Sequence, residues 1–284
     1  MRHRRSKFNP APWLFLAPSL LLVGALVLVP FCDAVRRSFF SAMGGEFVGL
    51  KNYIAVLENE AFRLAAWNTL RFTLVCIPIL LVFSLLLALA CRAADGSHGL
   101  FKTSSLLPLA IPIASMVLLW KVVFHTNGLL NQLLAAMGIP SVDWLDSSAA
   151  FFVLVFSYLW KNAGYGMVIF TGGLSDISPA LYEAAEVDGA NAFRRFLSVT
   201  LPGLRPTFFT ATVLSLMNSF KVFREAYLIG GSYPDESIYM LSHLFNNWFL
   251  ALDIDRMCAG AVLLAAALSV VVALAAKGLG GDDR

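Results

Sequence analysis

The sequence predicts an all-α membrane protein, one domain over residues 1–284 with six transmembrane helices, and three observations carry that reading. Hydrophobic residues fill 58% of the chain and charged residues only 14%, where a soluble domain carries about 25% charge. The mean hydropathy is +0.74, so the chain lacks the polar surface to face water all round. Six stretches meet the need of a spanning helix for roughly 20 mostly apolar residues: 13–31, 72–91, 106–124, 149–174, 207–229 and 258–276. The same composition excludes disorder, a coiled coil and a disulfide scaffold. A net charge of +3 without a clustered basic face gives no footprint for nucleic acid.

Taken in order, the first span follows a basic start, Arg2, Arg4, Arg5 and Lys7. A signal peptide begins the same way, but this apolar run is long and no small-residue cleavage pattern follows, so it is expected to stay as a helix. Pro18, Pro78, Pro108 and Pro112 fall inside spans; membrane helices tolerate proline because neighbours satisfy the freed backbone groups. Lys and Arg counted between spans set the orientation. Arg2, Arg4, Arg5, Lys7, Arg92, Lys102, Arg194, Arg195, Arg205, Lys277 and Arg284 fall on one side, against Arg36, Arg37, Lys51, Arg63 and Arg256 on the other. The first side is therefore expected to be cytoplasmic, with both termini there.

The outer segments 32–71, 125–148 and 230–257 are too short for a soluble domain. Within the second, apolar residues recur at helical spacing from Gly128 until Gly138 and Pro140 close the run, which predicts a short amphipathic helix on the outer face. Asn246, Asn247, Trp248 and Phe249 in the third suit the membrane interface. Cys32, Cys76, Cys91 and Cys258 form no C-x-x-C pair, and His3, His98, His125 and His243 are scattered, which removes support for zinc or redox chemistry. Cys32 and Cys258 both fall near outer ends of spans, but four scattered cysteines read best as small apolar fillers.

The connection 175–206 between the fourth and fifth spans is the informative one. Ser178 is placed to cap a helix with Pro179 at its first position, and Ile177 and Tyr182 to staple its entry. Glu183 and Glu186 are expected toward the positive end of the helix dipole, and Gly189 supplies a left-handed stop. Asn191 then caps a second helix bearing Arg194 and Arg195, which runs to Pro202. Leu181, Ala184, Ala185 and Asp188 share one face at i, i+3, i+4 and i+7, and the two alanines permit close approach of another protein.

These residues carry a resemblance. Glu183-Ala184-Ala185, then Gly189, then Val199-x-Leu201-Pro202 resembles the "EAA" signature of binding-protein-dependent ABC importer permeases, with Val199 where isoleucine is usual. Asp188-Gly189-Ala190 with Arg205-Pro206 looks like the sugar-importer form. So do Trp13-x-Phe-Leu-Ala-Pro-Ser19, Phe47-Val-Gly-Leu-Lys-Asn-Tyr53 and Asn68-Thr-Leu70, and the similarity runs over nearly the whole chain. It implies the importer permease fold and a short helix, with Leu181, Glu183, Ala184, Ala185, Asp188, Gly189 and Pro202, that docks on a separate cytoplasmic ATPase. The implied partners are a second permease subunit forming a heterodimer, an ABC ATPase dimer binding ATP and Mg, an extracytoplasmic sugar-binding protein and the sugar itself. The chain has no G-x-x-x-x-G-K-[ST] and no cofactor site of its own is expected, so the energy source is a partner.

Polar residues inside the fourth and fifth spans need a protein or water-filled neighbour. Tyr158, Asn162 and Tyr165 lie on one stripe; Met217, Asn218, Lys221 and Glu225 form another. In the maltose-type permease these helix regions line the sugar site, and Tyr165, Met217, Asn218 and Lys221 fall at matching positions counted from the loop, as do Tyr158 and Asn162, whose residue types differ from the family's. Aromatic faces with amide donors suit a sugar. Each residue alone serves equally well as helix–helix glue; the stripes as sets favour a site. Lys121, Lys161, Lys221 and Arg224 face only Glu225 among span carboxylates. An anionic sugar would use that charge, but a neutral sugar is expected, because the resemblance is strongest there and the basic groups are not confined to one stripe. A self-sufficient secondary transporter would also use intramembrane charges but would not need the EAA loop. An intramembrane enzyme is weakest, since no H-E-x-x-H or G-x-S-x-G occurs.

Overall fold

A computed structural model describes residues 11–41, 45–93 and 98–279. The basic start Arg2, Arg4, Arg5 and Lys7, together with His3 and Arg284, lies outside the described residues. Among the described residues there is no β-strand, only one isolated antiparallel bridge between Phe40 and Phe47. The chain divides into two contact units, Met1–Asn59 with Trp248–Ala266, and Glu60–Asn247 with Ala267–Arg284.

In the first unit, α1 (Ala11–Val23) continues through a π turn (Gly24–Leu28) into α2 (Val29–Arg37). The turn ends two residues before Pro30 and bonds the Val29 N–H to the Gly24 carbonyl, five residues back. A proline ring collides with the carbonyl four residues earlier and offers it no N–H, so widening the register at this point relieves the conflict. Asp33 pairs with Arg36 and Arg37. A compact turn leads to α3 (Lys51–Glu58). Gly49 sits at φ 59, where only glycine is unstrained. The Asn52 amide donates to the carbonyls of Ser38 and Phe40, both at 3.0 Å. Ser38 Oγ lies 2.6 Å from the Val35 carbonyl and 2.6 Å from the Tyr53 hydroxyl; its one proton goes to the carbonyl, so Tyr53 donates. The segment Phe47–Tyr53 is thus a device for folding the turn.

The second unit begins with α4 (Glu60–Ala93), 34 residues and about 51 Å long at 1.5 Å per residue. It starts well before residue 72 because residues 60–71, expected in the connection, are themselves helical. Next come α5 (His98–Ala110) and α6 (Ile113–Val123), bent by 97° at Ile111–Pro112. The amphipathic helix forms as α7 (Leu129–Ala136), closed by Gly138 at φ 74. Then follow α8 (Ala150–Asp176), α9 (Pro179–Val187), α10 (Ala192–Arg195), a second π turn (Phe196–Thr200), α11 (Leu201–Gly203), α12 (Arg205–Ser219), a 3-10 turn (Phe220–Val222) and α13 (Phe223–Gly230). The second π turn again ends two residues before a proline, Pro202. The chain finishes with α14 (Leu241–Leu250) and α15 (Ile254–Leu279).

Helix occupies all six expected spans. Among the described residues, Phe15–Arg37, Glu60–Ala93 and Ile254–Gly278 are long and apolar enough to cross a membrane alone, and the bent α5–α6 pair makes a fourth as a broken span. The other two expected spans, α8 and α12–α13, fall short of that mark, because Lys161 and Asn162 in the one and Asn218, Lys221, Arg224 and Glu225 in the other lower their apolarity in mid-helix.

Helix α8 is the hub of this unit, packed on α4, α5 and α12. One apolar cluster joins Phe72, Met116, Trp120, Phe151 and Leu154, and a second joins Leu85, Met167, Phe170, Leu174 and Leu204. A Cβ built at Gly164 would stand 1.8 Å from the Ser105 carbonyl oxygen, so α5 and α8 touch backbone to backbone, as small residues allow in membranes. Between α4 and α8, Ser84 Oγ donates to the Ala163 carbonyl at 3.2 Å. Near the start of α4, Asn68 Nδ2 donates to the carbonyls of Glu236 and Tyr239, and Thr69 Oγ1 accepts from the Leu241 N–H at 3.0 Å. His243, fully buried, stacks on Phe223 and Tyr239 and accepts the Met240 N–H at Nδ1, and burial pushes its imidazole down to about 4. All four cysteines are free, so Cys32 and Cys258 do not pair.

Candidate functional site

Two polar stripes meet where α8 faces α12 and α13. Between them lies a cavity of about 420 Å³, lined by Tyr158, Lys161, Asn162 and Tyr165 from α8 and by Leu214, Asn218, Lys221, Val222, Arg224 and Glu225 from the broken fifth helix, with Leu109 and Ile113 at the α5–α6 bend. Its volume is in the size range of small-molecule sites. Five of the six residues expected to bind substrate line it: Tyr158, Asn162, Tyr165, Asn218 and Lys221. Met217 lies off the cavity and is 59% exposed. Met217 points about 100° away from Asn218 on α12, and there its side chain turns outward instead of into the cavity.

The polar groups differ in how free they are. Tyr158 is buried and its hydroxyl donates to the Ser215 carbonyl at 2.8 Å, tying α8 to α12. Asn162 Nδ2 donates to its own helix at the Tyr158 carbonyl, 2.8 Å away, leaving the amide oxygen to accept. Tyr165 is 36% exposed and offers both its ring face and its hydroxyl. Lys221 Nζ donates to Asn218 Oδ1 at 3.1 Å, which leaves the Asn218 amide protons for another acceptor.

Sequence reasoning missed one pairing. Lys161 Nζ meets Glu225 Oε1 at 3.1 Å, and the two side chains are only 15% and 8% exposed. The residues stand on different helices, so helical spacing could not reveal the contact; the signal was that Glu225 is the one carboxylate among the span cations. A charge at the bilayer centre costs at least about 2.5–3.5 kcal/mol on insertion scales, and pairing removes most of that cost for these two. Glu225 Oε2 is buried without a hydrogen-bond partner. Lys121 is absent from the cavity lining, whereas Lys221 and Arg224 line it.

The connection 175–206 forms the helix pair that its local signals predict. Ile177 and Tyr182 join one apolar cluster at the entry to α9. Ser178 holds the N-cap position but its side chain makes no capping bond. At the other end, the Gly189 N–H bonds to the Glu186 carbonyl at 3.0 Å and the Ala190 N–H to the Ala185 carbonyl at 2.9 Å, with Gly189 at φ 73, a complete Schellman motif. Asn191 caps the next helix, accepting from the Arg194 N–H at 2.9 Å. Glu183 and Glu186 both depart from expectation: neither lies in the first turn of α9, Glu183 standing mid-helix and Glu186 in the last turn, where it pairs with Arg195 at 2.9 Å. The Tyr182 hydroxyl and Thr200 Oγ1 bond at 3.0 Å, and Arg92 lies over the Tyr182 ring at 5.4 Å. Pinned this way, the pair leaves Leu181, Glu183, Ala184, Asp188, Gly189 and Pro202 exposed and Ala185 half-buried. Val187 and Phe193 add 88% and 70% exposed apolar side chains to the same elements, more than a free surface favours.

Residues 65–280 match the family described as the binding-protein-dependent transport system inner membrane component. The chain is 31% identical over 269 residues to the sulfoquinovosyl glycerol transport system permease protein of Agrobacterium fabrum, covering 92% of this chain and 87% of that one. It is 29% identical to the trehalose/maltose transport system permease protein of Thermococcus litoralis, covering 88% and 85%, and 32% identical to the arabinooligosaccharides transport system permease protein of Bacillus subtilis, covering 77% and 72%. A crystal structure of a bacterial ABC transporter involved in the import of the acidic polysaccharide alginate has a chain that superposes with a TM-score of 0.83 over 96% of both chains at 23% identity, which establishes a shared fold.

Proposed function

The chain belongs to the family of binding-protein-dependent transport system inner membrane components, and from that premise we propose that it is the permease subunit of an ATP-driven ABC importer for a sugar or oligosaccharide. The observation that carries this reading is the cavity between α8 and α12–α13. It combines an available aromatic face at Tyr165, the Asn162 and Asn218 amides and a lysine in one chamber at a helix break, the mixture of stacking surface and donors that a polyhydroxylated ring needs. The transport systems named for the relatives above, with their sugar and glycoside cargoes, support it.

In this reading the permease core comprises six spans with both termini cytoplasmic, and residues 175–206 face the cytoplasm. The exposed helix pair docks on an ATPase dimer that binds ATP and Mg, a second permease subunit completes the translocation path, and an extracytoplasmic sugar-binding protein delivers cargo. Docking by α9 is supported by its rigid Schellman ending and its exposed Leu181, Ala184 and Val187. The break at Phe220–Val222 places Lys221 where the fifth helix changes register, so movement of that helix alters the chamber directly.

The test is transport by Lys221→Met and Asn218→Ala variants in the assembled complex with its native binding protein. Both lower saccharide uptake at limiting cargo while still co-purifying with the partner subunits. Parental uptake by both would make the fifth-helix stripe a scaffold and place the site elsewhere.

A further inference from the structure

Three cations line the cavity, Lys161, Lys221 and Arg224, and only one carboxylate, Glu225, does. Glu225 is committed to Lys161. Lys221 reaches only the neutral amide oxygen of Asn218, and no carboxylate among the described residues pairs with Lys221 or Arg224. The chamber therefore keeps two uncompensated positive charges, brought together on one side by the 3-10 turn Phe220–Val222 and the first turn of α13. Within a membrane a charge is retained only where it is paired or does work. Guanidinium and ammonium together form a strong, geometrically broad receptor for an oxyanion.

Building on the sugar-importer reading, we infer that the cargo is an acidic glycoside, a sugar bearing a fixed carboxylate, sulfonate or phosphate, whose anionic group is bound by Arg224 and Lys221 while its ring lies against Tyr165. This replaces the expectation of a neutral sugar. That expectation rested on the resemblance being strongest for neutral sugars and on the basic groups being spread over several faces; the second ground falls, because Lys161, Lys221 and Arg224 line one space with only Lys161 paired to a carboxylate.

The complete transporter, with its partner permease, ATPase and binding protein, is reconstituted in proteoliposomes. It is offered an equimolar mixture of neutral glycosides and their uronate, 6-sulfonate and 6-phosphate counterparts, and the luminal contents are read by mass spectrometry. Accumulation of acidic members without the neutral ones is expected, and which acidic member accumulates identifies the anionic group. Lys221→Met and Arg224→Met each raise the concentration for half-maximal uptake by about tenfold or more, as loss of a charge-assisted hydrogen bond does, and Lys221→Arg preserves the preference. Accumulation of a neutral glycoside that is lost on Asn162→Ala overturns the charge inference while leaving the sugar site standing; the cations would then be met by a carboxylate of the second permease. Accumulation of no glycoside at all overturns both readings.

Discussion

Lys161→Met leaves Glu225 as a buried anion without a partner, and Glu225→Gln leaves Lys161 as a cation in the same position. At 3.1 Å the pair attracts by about 5 kcal/mol at an effective dielectric of about 20, much of which repays the cost of taking both groups out of water. Removing one partner keeps the other's desolvation and forfeits the attraction, for a loss of about 3–5 kcal/mol. Lys161 opens on the cavity and is 15% exposed, so water softens the penalty toward about 3 kcal/mol. For a chain of this length that corresponds to roughly 6 °C in the unfolding midpoint. The double variant Lys161→Met/Glu225→Gln has no charge to strand and should fall within about 1 kcal/mol of the parent. The assay is thermal unfolding of the detergent-solubilised complex, followed by fluorescence-detected size exclusion, for parent, both single variants and the double. A double variant as unstable as the sum of the singles would refute the pairing, and so would single variants that unfold with the parent.

Other outcomes follow from individual contacts. Gly164→Ala drives a methyl group into the Ser105 carbonyl, a backbone clash that no rotamer change relieves, so expression of assembled complex should fall sharply, whereas Gly172→Ala, with nothing within 4 Å, should be neutral. Glu183→Lys and Gly189→Asp should abolish uptake with the chain still inserted, because each changes the charge of the docking face; Gly189→Asn, which adopts the left-handed backbone, meets open space and adds no charge, should keep it. His243 is held neutral in the fold with its value lowered from 6.5 to about 4, so the unfolded form binds more protons between those values and stability declines as pH falls from about 6.5 toward 4; a His243→Phe variant measured by the same thermal assay should lose that dependence. In a cysteine-free background, cysteine at Ser232 should react with an impermeant maleimide from outside and cysteine at Ser175 should not; external labelling of residue 175 would invert the topology.

How much of this was legible in the sequence depends on the range of the forces involved. The helix pair over 175–206 was readable almost residue by residue because Pro179, Gly189 and Asn191 act on their immediate neighbours. Glu183 and Glu186 were misplaced because α9 spans only Pro179–Val187, so its first turn ends before residue 183 and its last turn already holds residue 186. The cavity lining was largely foreseen from helical spacing, since Tyr158, Asn162 and Tyr165 lie on an unbroken α8. Spacing loses force in the fifth helix, where the 3-10 turn at Phe220–Val222 advances the register. The Lys161–Glu225 pair depends on which helices are neighbours, and no local pattern encodes that. The π turns before Pro30 and Pro202 were likewise hidden: proline announces a conflict in a helix, but whether it is resolved by a kink, a break or a wider turn is decided by the surrounding packing.

The central claim is that this chain moves a saccharide on energy supplied by a separate ATPase docked at residues 175–206. Proteoliposomes containing both permease subunits, with the binding protein and cargo outside, test it directly when saccharide accumulation is measured with the ATPase subunits and internal ATP present and again with each omitted. The account predicts accumulation only with both present and its loss in the Glu183→Lys complex. Accumulation driven by an ion gradient with the ATPase left out would contradict it and identify the chain as a self-sufficient transporter.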